Sequence, residues 1–160
     1  MASNTYTHKP PQWLALHFPH LALDQHKRGL DQESQDIPYA ISDRLAGRQC
    51  IIDRNPVAKH AGIRIGMPVA AALSLLDSLQ VSERDQRAEQ AALKRLAGWC
   101  YQYSSQVCID SQRNSLLLEV GASERLFGQP ETLAVRITME LEQLGYRAVA
   151  GIAPTLESAH

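Results

Sequence analysis

"WLALHFPHLALDQ", residues 13–25, decides how the rest of the chain is read. Trp13 to Phe18 is dominated by apolar residues and has no turn former, the pattern of a central strand covered on both faces. Pro19 has no N–H to give a sheet ladder, so the strand ends near it. Residues 20–30 then read as a short helix. Many α/β enzymes carry catalytic carboxylates where such a strand ends. Here that place holds His17, Pro19 and His20, and no acid comes before Asp24.

Outward from this stretch, "KRGLDQESQD" (27–36) is a polar loop with solvated charges. Two strands follow, Pro38–Ile41 and Arg48–Ile52, joined by "SDRLAG" with Gly47 in the turn. Asn55 suits the cap of a helix opened by Pro56 and closed at Gly62. Gly66 is a turn, and Met67-Pro68 opens a helix with Val69, Ala72, Leu73 and Leu76 at helical spacing. Leu79–Val81 is a short strand. From Asp85 to Tyr103 the pattern is helical, with Ala88, Ala92, Leu96, Trp99 and Tyr103 on one stripe. "SQVCID" and "SLLLEV" flank "SQRN" as a hairpin. "GASERLFG" is a loop with one helical turn. A helix opened by Pro130 carries Leu133, Ile137, Leu141 and Leu144 on one face and stops at Gly145. "YRAVAGIAP" is the last strand, and "TLESAH" starts a helix that stops short, as in a fragment of something longer.

With the inserted lobe set aside, the order is β-α-β-β-α-β. That predicts an α+β fold of ferredoxin-like type, which many unrelated functions share.

The chain has 160 residues, 44% hydrophobic and 21% charged, enough apolar material for a real core. Its net charge of −1 gives no bulk sign of a strongly basic nucleic-acid binder, although a local patch is compatible with it. Cys50, Cys100 and Cys108 form no CxxC pair, and their apolar neighbours suggest small buried hydrophobes in a reducing cytosol. The first twelve residues read as a mobile tail without the apolar core of a secretory signal. No run approaches the ~18 apolar residues of a membrane span. A cytoplasmic protein is expected. No Walker loop, GxGxxG or Ser-His-Asp arrangement is present.

Four stretches, in order, resemble the Y-family (UmuC-like) DNA polymerases, and within them a polymerase-like, non-catalytic mutagenesis branch. They are "WLALHFPHLALD", "NPVAKHAGIRIGMPVAAALSLLDSLQV", "LLLEVGASERLFG" and "YRAVAGIAPT". The resemblance covers roughly residues 12–160. It implies a ferredoxin-like palm with small fingers: palm from 13–35, a fingers-like lobe from 36–84, and palm again from 85–160, truncated before the rest of the polymerase fold.

The family's chemistry is two-metal phosphoryl transfer, for which two magnesium ions need carboxylate oxygens. By resemblance, the first acid position is His17, and the next metal-binding position is Pro19. The Asp-Glu pair of the second motif falls on Asn114 and Ser115. The triphosphate-gripping Tyr-x-Ala-Arg falls on Pro56-Val57-Ala58-Lys59, so bidentate arginine recognition is lost. The aromatic that screens the sugar falls near Leu21 and Ala22. The resemblance thus implies a polymerase shape without catalytic residues or a cofactor, serving as an adaptor in SOS-induced error-prone translesion synthesis. Its implied partners are DNA, contacted weakly or through others, an error-prone replicative-type polymerase, a RecA-like accessory protein and the sliding clamp.

Other readings stay open. His17 and His20 could be a transition-metal pair, although packed or surface histidines are favoured. Asp24, Asp53, Asp110 and Glu119 could serve as substitute ligands in an active, Mg2+-dependent polymerase, with Asp110 best placed. Lys59, Arg64 and Arg54 could touch nucleic-acid phosphates or simply be solvated. A non-functional gene fragment is the third possibility.

Overall fold

The computed structural model describes residues 11–28 and 37–153. Most of the expected tail, most of the loop at 27–36 and the helix start at 155–160 lie outside the described residues. In chain order the elements are β1 (Trp13–His17), α1 (Leu21–Lys27), β2 (Tyr39–Leu45), β3 (Arg48–Arg54), α2 (Pro56–His60), α3 (Val69–Leu75), β4 (Gln80–Glu83), α4 (Gln86–Cys100), β5 (Val107–Asp110), β6 (Ser115–Glu119), α5 (Glu124–Phe127), α6 (Pro130–Gln143) and β7 (Val149–Ala153).

They form two compact units, with the boundary inside α4. The first unit holds the chain up to Pro19, Leu93–Leu144 and the stretch from Ala148 onward. Its sheet has the order β5-β6-β1-β7, and every neighbouring pair is antiparallel. With α4 and α6 as the connecting helices, this is the expected ferredoxin-like arrangement. β1 lies centrally, and Leu14, Ala15 and Leu16 are buried. Leu14 pairs with Leu118 and Leu16 with Leu116. Directly opposed residues share a face, so these four leucines form one apolar layer. Buried stripes on the helices (Leu93, Leu96, Ala97 and Cys100; Leu133, Ile137 and Leu141) complete the core.

The second unit holds His20–Ala92 and Gly145–Arg147. Its three-stranded sheet has the order β3-β2-β4, with β2 antiparallel to β3 and parallel to β4. Ala40, Ile51, Ala58, Ile63, Ala72 and Leu79 form its main core, while Leu23 of α1 packs with Tyr39 and Ile41. Asn55 ties this unit together. Its Oδ1 accepts from Ala58 N at 2.9 Å, capping α2, and from Tyr39 N at 3.0 Å. Its Nδ2 donates to the Ile37 carbonyl at 2.7 Å.

Three local expectations are corrected. "SDRLAG" is not all connection: β2 runs through to Leu45 and turns on Ala46 and Gly47 alone, at φ 48° and 82°. Two consecutive left-handed residues make the tight turn that matches the twist of a hairpin. Leu73 is half-exposed on α3, because that short helix buries only Ala72. Cys50 and Cys100 are buried, but Cys108 is exposed, because β5 is an edge strand. Burial pushes the Cys100 thiol up to about 12.

Candidate functional site

The positions singled out by the sequence meet at one end of the four-stranded sheet. β1–β6 pairing sets His17 opposite Ser115, and β5–β6 pairing sets Asp110 on the other side of Ser115. The three side chains therefore share a face. Asn114 occupies the turn before β6 in a left-handed conformation, φ 49°, which Asn tolerates better than most residues. Its carbonyl accepts from Phe18 N at 2.9 Å.

His17 Nδ1 lies 2.9 Å from the Arg113 carbonyl and 3.2 Å from Ser115 Oγ. A carbonyl can only accept, so Nδ1 is the donor in that bond. Ser115 Oγ donates to the same carbonyl at 3.0 Å. Asp110 Oδ1 accepts from Gln112 N at 3.0 Å and Arg113 N at 3.1 Å, and Arg113 Nη1 stands 3.7 Å from Oδ2. This acid holds the hairpin turn.

An imidazole, a carboxamide, a hydroxyl and one turn-bound carboxylate do not fit a pair of magnesium ions, which require several carboxylate oxygens at octahedral distances. Among the described residues, no group of three or more His, Cys, Asp or Glu is arranged to hold a metal ion.

The other acids are engaged elsewhere. Asp24 is buried and accepts from Arg147 Nη2 at 2.7 Å, Nε at 3.1 Å and the backbone N at 2.9 Å. Asp53 meets His20 Nδ1 at 3.0 Å. Glu119 accepts from Gly121 N at 2.9 Å and Gln12 N at 3.3 Å. His17 and His20 thus have separate Nδ1 partners.

In the second unit, Pro56, Val57 and Lys59 are exposed and Ala58 is buried. Lys59 and Arg64 are exposed and form no ion pair with another described residue. Arg54 differs: it is half-buried, and its Nε is enclosed without a hydrogen-bond partner. Arg44 and Arg48 also face solvent, flanking the β2–β3 turn. Sequence reading placed Arg44 in a connection and Arg48 at the start of a strand, and gave neither a role. The tight Ala-Gly turn between two strands was the available signal.

Leu21 is buried, whereas Ala22 lines a cavity of about 310 Å³ with Gln25, His26, Ile41, Arg84 and Glu89. Arg84 grips buried Glu89 through two bonds, 2.7 and 2.8 Å. His26 stacks on Tyr39 with ring centres 4.4 Å apart, and burial lowers its pKa from the ordinary 6.5.

A ferredoxin-like sheet with a small inserted α/β unit is the arrangement of a Y-family polymerase-like palm and fingers. The chain belongs to the impB/mucB/samB family, whose model matches residues 23–160. It is 33% identical over 98 residues to Protein ImuB of Caulobacter vibrioides, covering 61% of this chain and 21% of ImuB. Dbh DNA polymerase in a post-insertion binary complex superposes with a TM-score of 0.70 at 19% identity, covering 90% of this chain and 42% of that one. DinB from Sulfolobus solfataricus gives 0.64 at 20% identity, with 90% and 42% covered. The matched stretch therefore spans about a fifth of the curated relative's length, and the chain covers less than half of the solved polymerases'. Among the described residues, no helix is long and apolar enough to cross a membrane.

Proposed function

We propose that this chain is the palm-and-fingers part of a non-catalytic, polymerase-like adaptor acting in SOS-induced, error-prone translesion DNA synthesis in the cytoplasm. The observation that carries this reading is the donor set at the end of β1 and β6. By resemblance, His17, Asn114 and Ser115 fall on positions where the family's chemistry needs carboxylates; here the His17 ring and the Ser115 hydroxyl both bond to the Arg113 carbonyl, and the Asn114 carbonyl accepts from Phe18 N. Residues 13–35 and 85–160 supply the palm in this reading, and 36–84 the fingers. No cofactor is needed.

Exposed Lys59 and Arg64, with the half-buried Arg54, would give the fingers a weak, salt-sensitive hold on DNA phosphates. The longer relatives leave room for further contacts. An error-prone replicative-type polymerase, a RecA-like accessory protein and the sliding clamp are the partners this role requires.

The rival reading is an active polymerase that uses Asp110 as a metal ligand. Primer extension with Mg2+ or Mn2+ separates the two. The adaptor reading expects no extension with either ion. Template-dependent extension that disappears in Asp110→Ala would overturn it. A chain with no cooperative melting transition would instead point to a non-functional fragment.

A further inference from the structure

The tip of the β2–β3 hairpin stands free of its sheet. β4 pairs with β2 only as far as Ser42, opposite Glu83, and on the outer side of β3 the pairing nearest the tip is the bridge between Cys50 and Pro68. Beyond these, Arg44 pairs with Gln49 and Leu45 with Arg48, and the two-residue Ala46-Gly47 turn closes the ribbon. Its two strands lie about 4.8 Å apart and reach roughly 10 Å past Asp43, at about 3.4 Å per residue. Every residue from Arg44 to Arg48 is exposed.

Directly opposed residues share a face, and successive ones alternate. Arg48 therefore stands beside Leu45 on one face of the ribbon, and Arg44 beside Gln49 on the other. Neither arginine forms an ion pair with another described residue. The tip carries no acid. The acids at its root are engaged: Asp43 stands 3.6 Å from Arg84 Nη1, and Glu83 accepts from Gln49 Nε2 at 3.0 Å. A cation on each face lets so narrow a ribbon meet phosphates on two sides at once.

Building on the DNA-contacting role proposed above, we propose that this tip enters the major groove of duplex DNA, with Arg44 and Arg48 each bound to the phosphates of one wall. That groove is about 12 Å wide and about 8.5 Å deep, and it admits a two-stranded ribbon of this reach. The minor groove, about 6 Å wide, does not. A single strand offers one row of phosphates, so only one face of the ribbon and one arginine serve it. Leu45 finds apolar partners in the groove in the thymine methyl groups. Like charge keeps the acidic root, Asp43 and Glu83, away from the phosphate rows, so insertion stops at the tip. Phosphate contacts carry no sequence information, so the binding is tolerant of sequence.

Fluorescence anisotropy of the 160-residue chain with a random-sequence duplex, and with one of its strands, between about 50 and 200 mM salt, tests this. Each phosphate contact on a duplex contributes about 0.9 to the slope of log K against log salt. Arg44→Gln with Arg48→Gln therefore lowers the duplex slope by about 2 and weakens duplex binding about tenfold or more, with an unchanged melting temperature. On the single strand the slope falls by only about 0.7. A second measurement places the tip. Cys50 and Cys100 are buried, so Ala46→Cys in a Cys108→Ser background carries a photo-cross-linker at the turn alone. It attaches to both strands of the duplex. Duplex binding indifferent to the paired arginine change overturns the proposal and leaves Lys59 and Arg64 as the contact. So does an equal loss of slope on duplex and single strand, or cross-linking to one strand only. A chain that binds neither DNA overturns the DNA-contacting role itself, and this proposal with it.

Discussion

Asp24 and Arg147 are far apart in sequence and closely bonded in space, and cutting either one has an unequal cost. Asp24→Ala removes three hydrogen bonds, two of them from the guanidinium. Breaking a buried pair costs ~3–5 kcal/mol when the survivor stays buried. Here the survivor would be Arg147, whose side chain is 40% exposed and can turn to water. The low end applies, about 3 kcal/mol. Arg147→Ala strands Asp24, whose side chain is only 4% exposed, with one backbone donor left. That variant loses more, about 4 kcal/mol at neutral pH. Asp24→Asn keeps the shape and loses the charge, for about 1.5 kcal/mol. The double alanine variant returns about 2 kcal/mol of coupling, because no stranded charge remains. Urea unfolding followed by far-UV circular dichroism measures all four. Single-variant losses below about 0.5 kcal/mol, or Asp24→Ala costing more than Arg147→Ala, would refute the reasoning.

Asn55→Ala removes the cap of α2 and leaves Tyr39 N and the Ile37 carbonyl without their partner. The cap contributes about 1 kcal/mol and the stranded groups ~1–3 more, so the same unfolding assay should show a loss of about 2–4 kcal/mol. Asn55→Asp keeps both acceptor contacts but sets a carboxylate against the Ile37 carbonyl, giving an intermediate loss. His26 has a folded-state pKa below its ordinary 6.5 because burial disfavours the charged ring. Its contribution to stability is therefore complete above that value and declines as pH falls toward the folded pKa. His26→Phe keeps the stack on Tyr39 without titrating, so its urea midpoint should fall less than the wild type's on acidification from about pH 7.5 to 5.5. Equal slopes would remove His26 from the pH dependence.

Much of the fold was legible because it rests on patterns that outlast chemistry. The apolar run of β1, the Asn55-Pro56 start of α2, and the glycines that stop α2 and α6 each follow from one local rule. The extent of β2 did not. Ser42, Asp43 and Arg44 look like loop residues, yet β2 is flanked by β3 and β4, and Asp43 stands 3.6 Å from Arg84. A polar strand held between two neighbours has no signature in its own residues. The candidate site was legible in position but not in wiring. Strand register determines that His17 faces Ser115, and pattern alone does not show that Arg113 would contribute a carbonyl to both. Nor could the Asp24–Arg147 bond be read, since it depends on how the residues before β7 meet α1.

The bonding among His17, Ser115 and the 113–114 turn has a consequence for the history of such a chain. Carboxylates gathered at one strand end repel one another and weaken the fold that carries them, a burden tolerated while a metal neutralises it. Here one carboxylate, Asp110, is bonded into the turn, and the His17 ring and the Ser115 hydroxyl share the Arg113 carbonyl. On the proposed reading, replacing Ser115 with a carboxylate would set an acceptor against the Arg113 carbonyl and a like charge opposite Asp110, so that step costs stability before any metal site is gained.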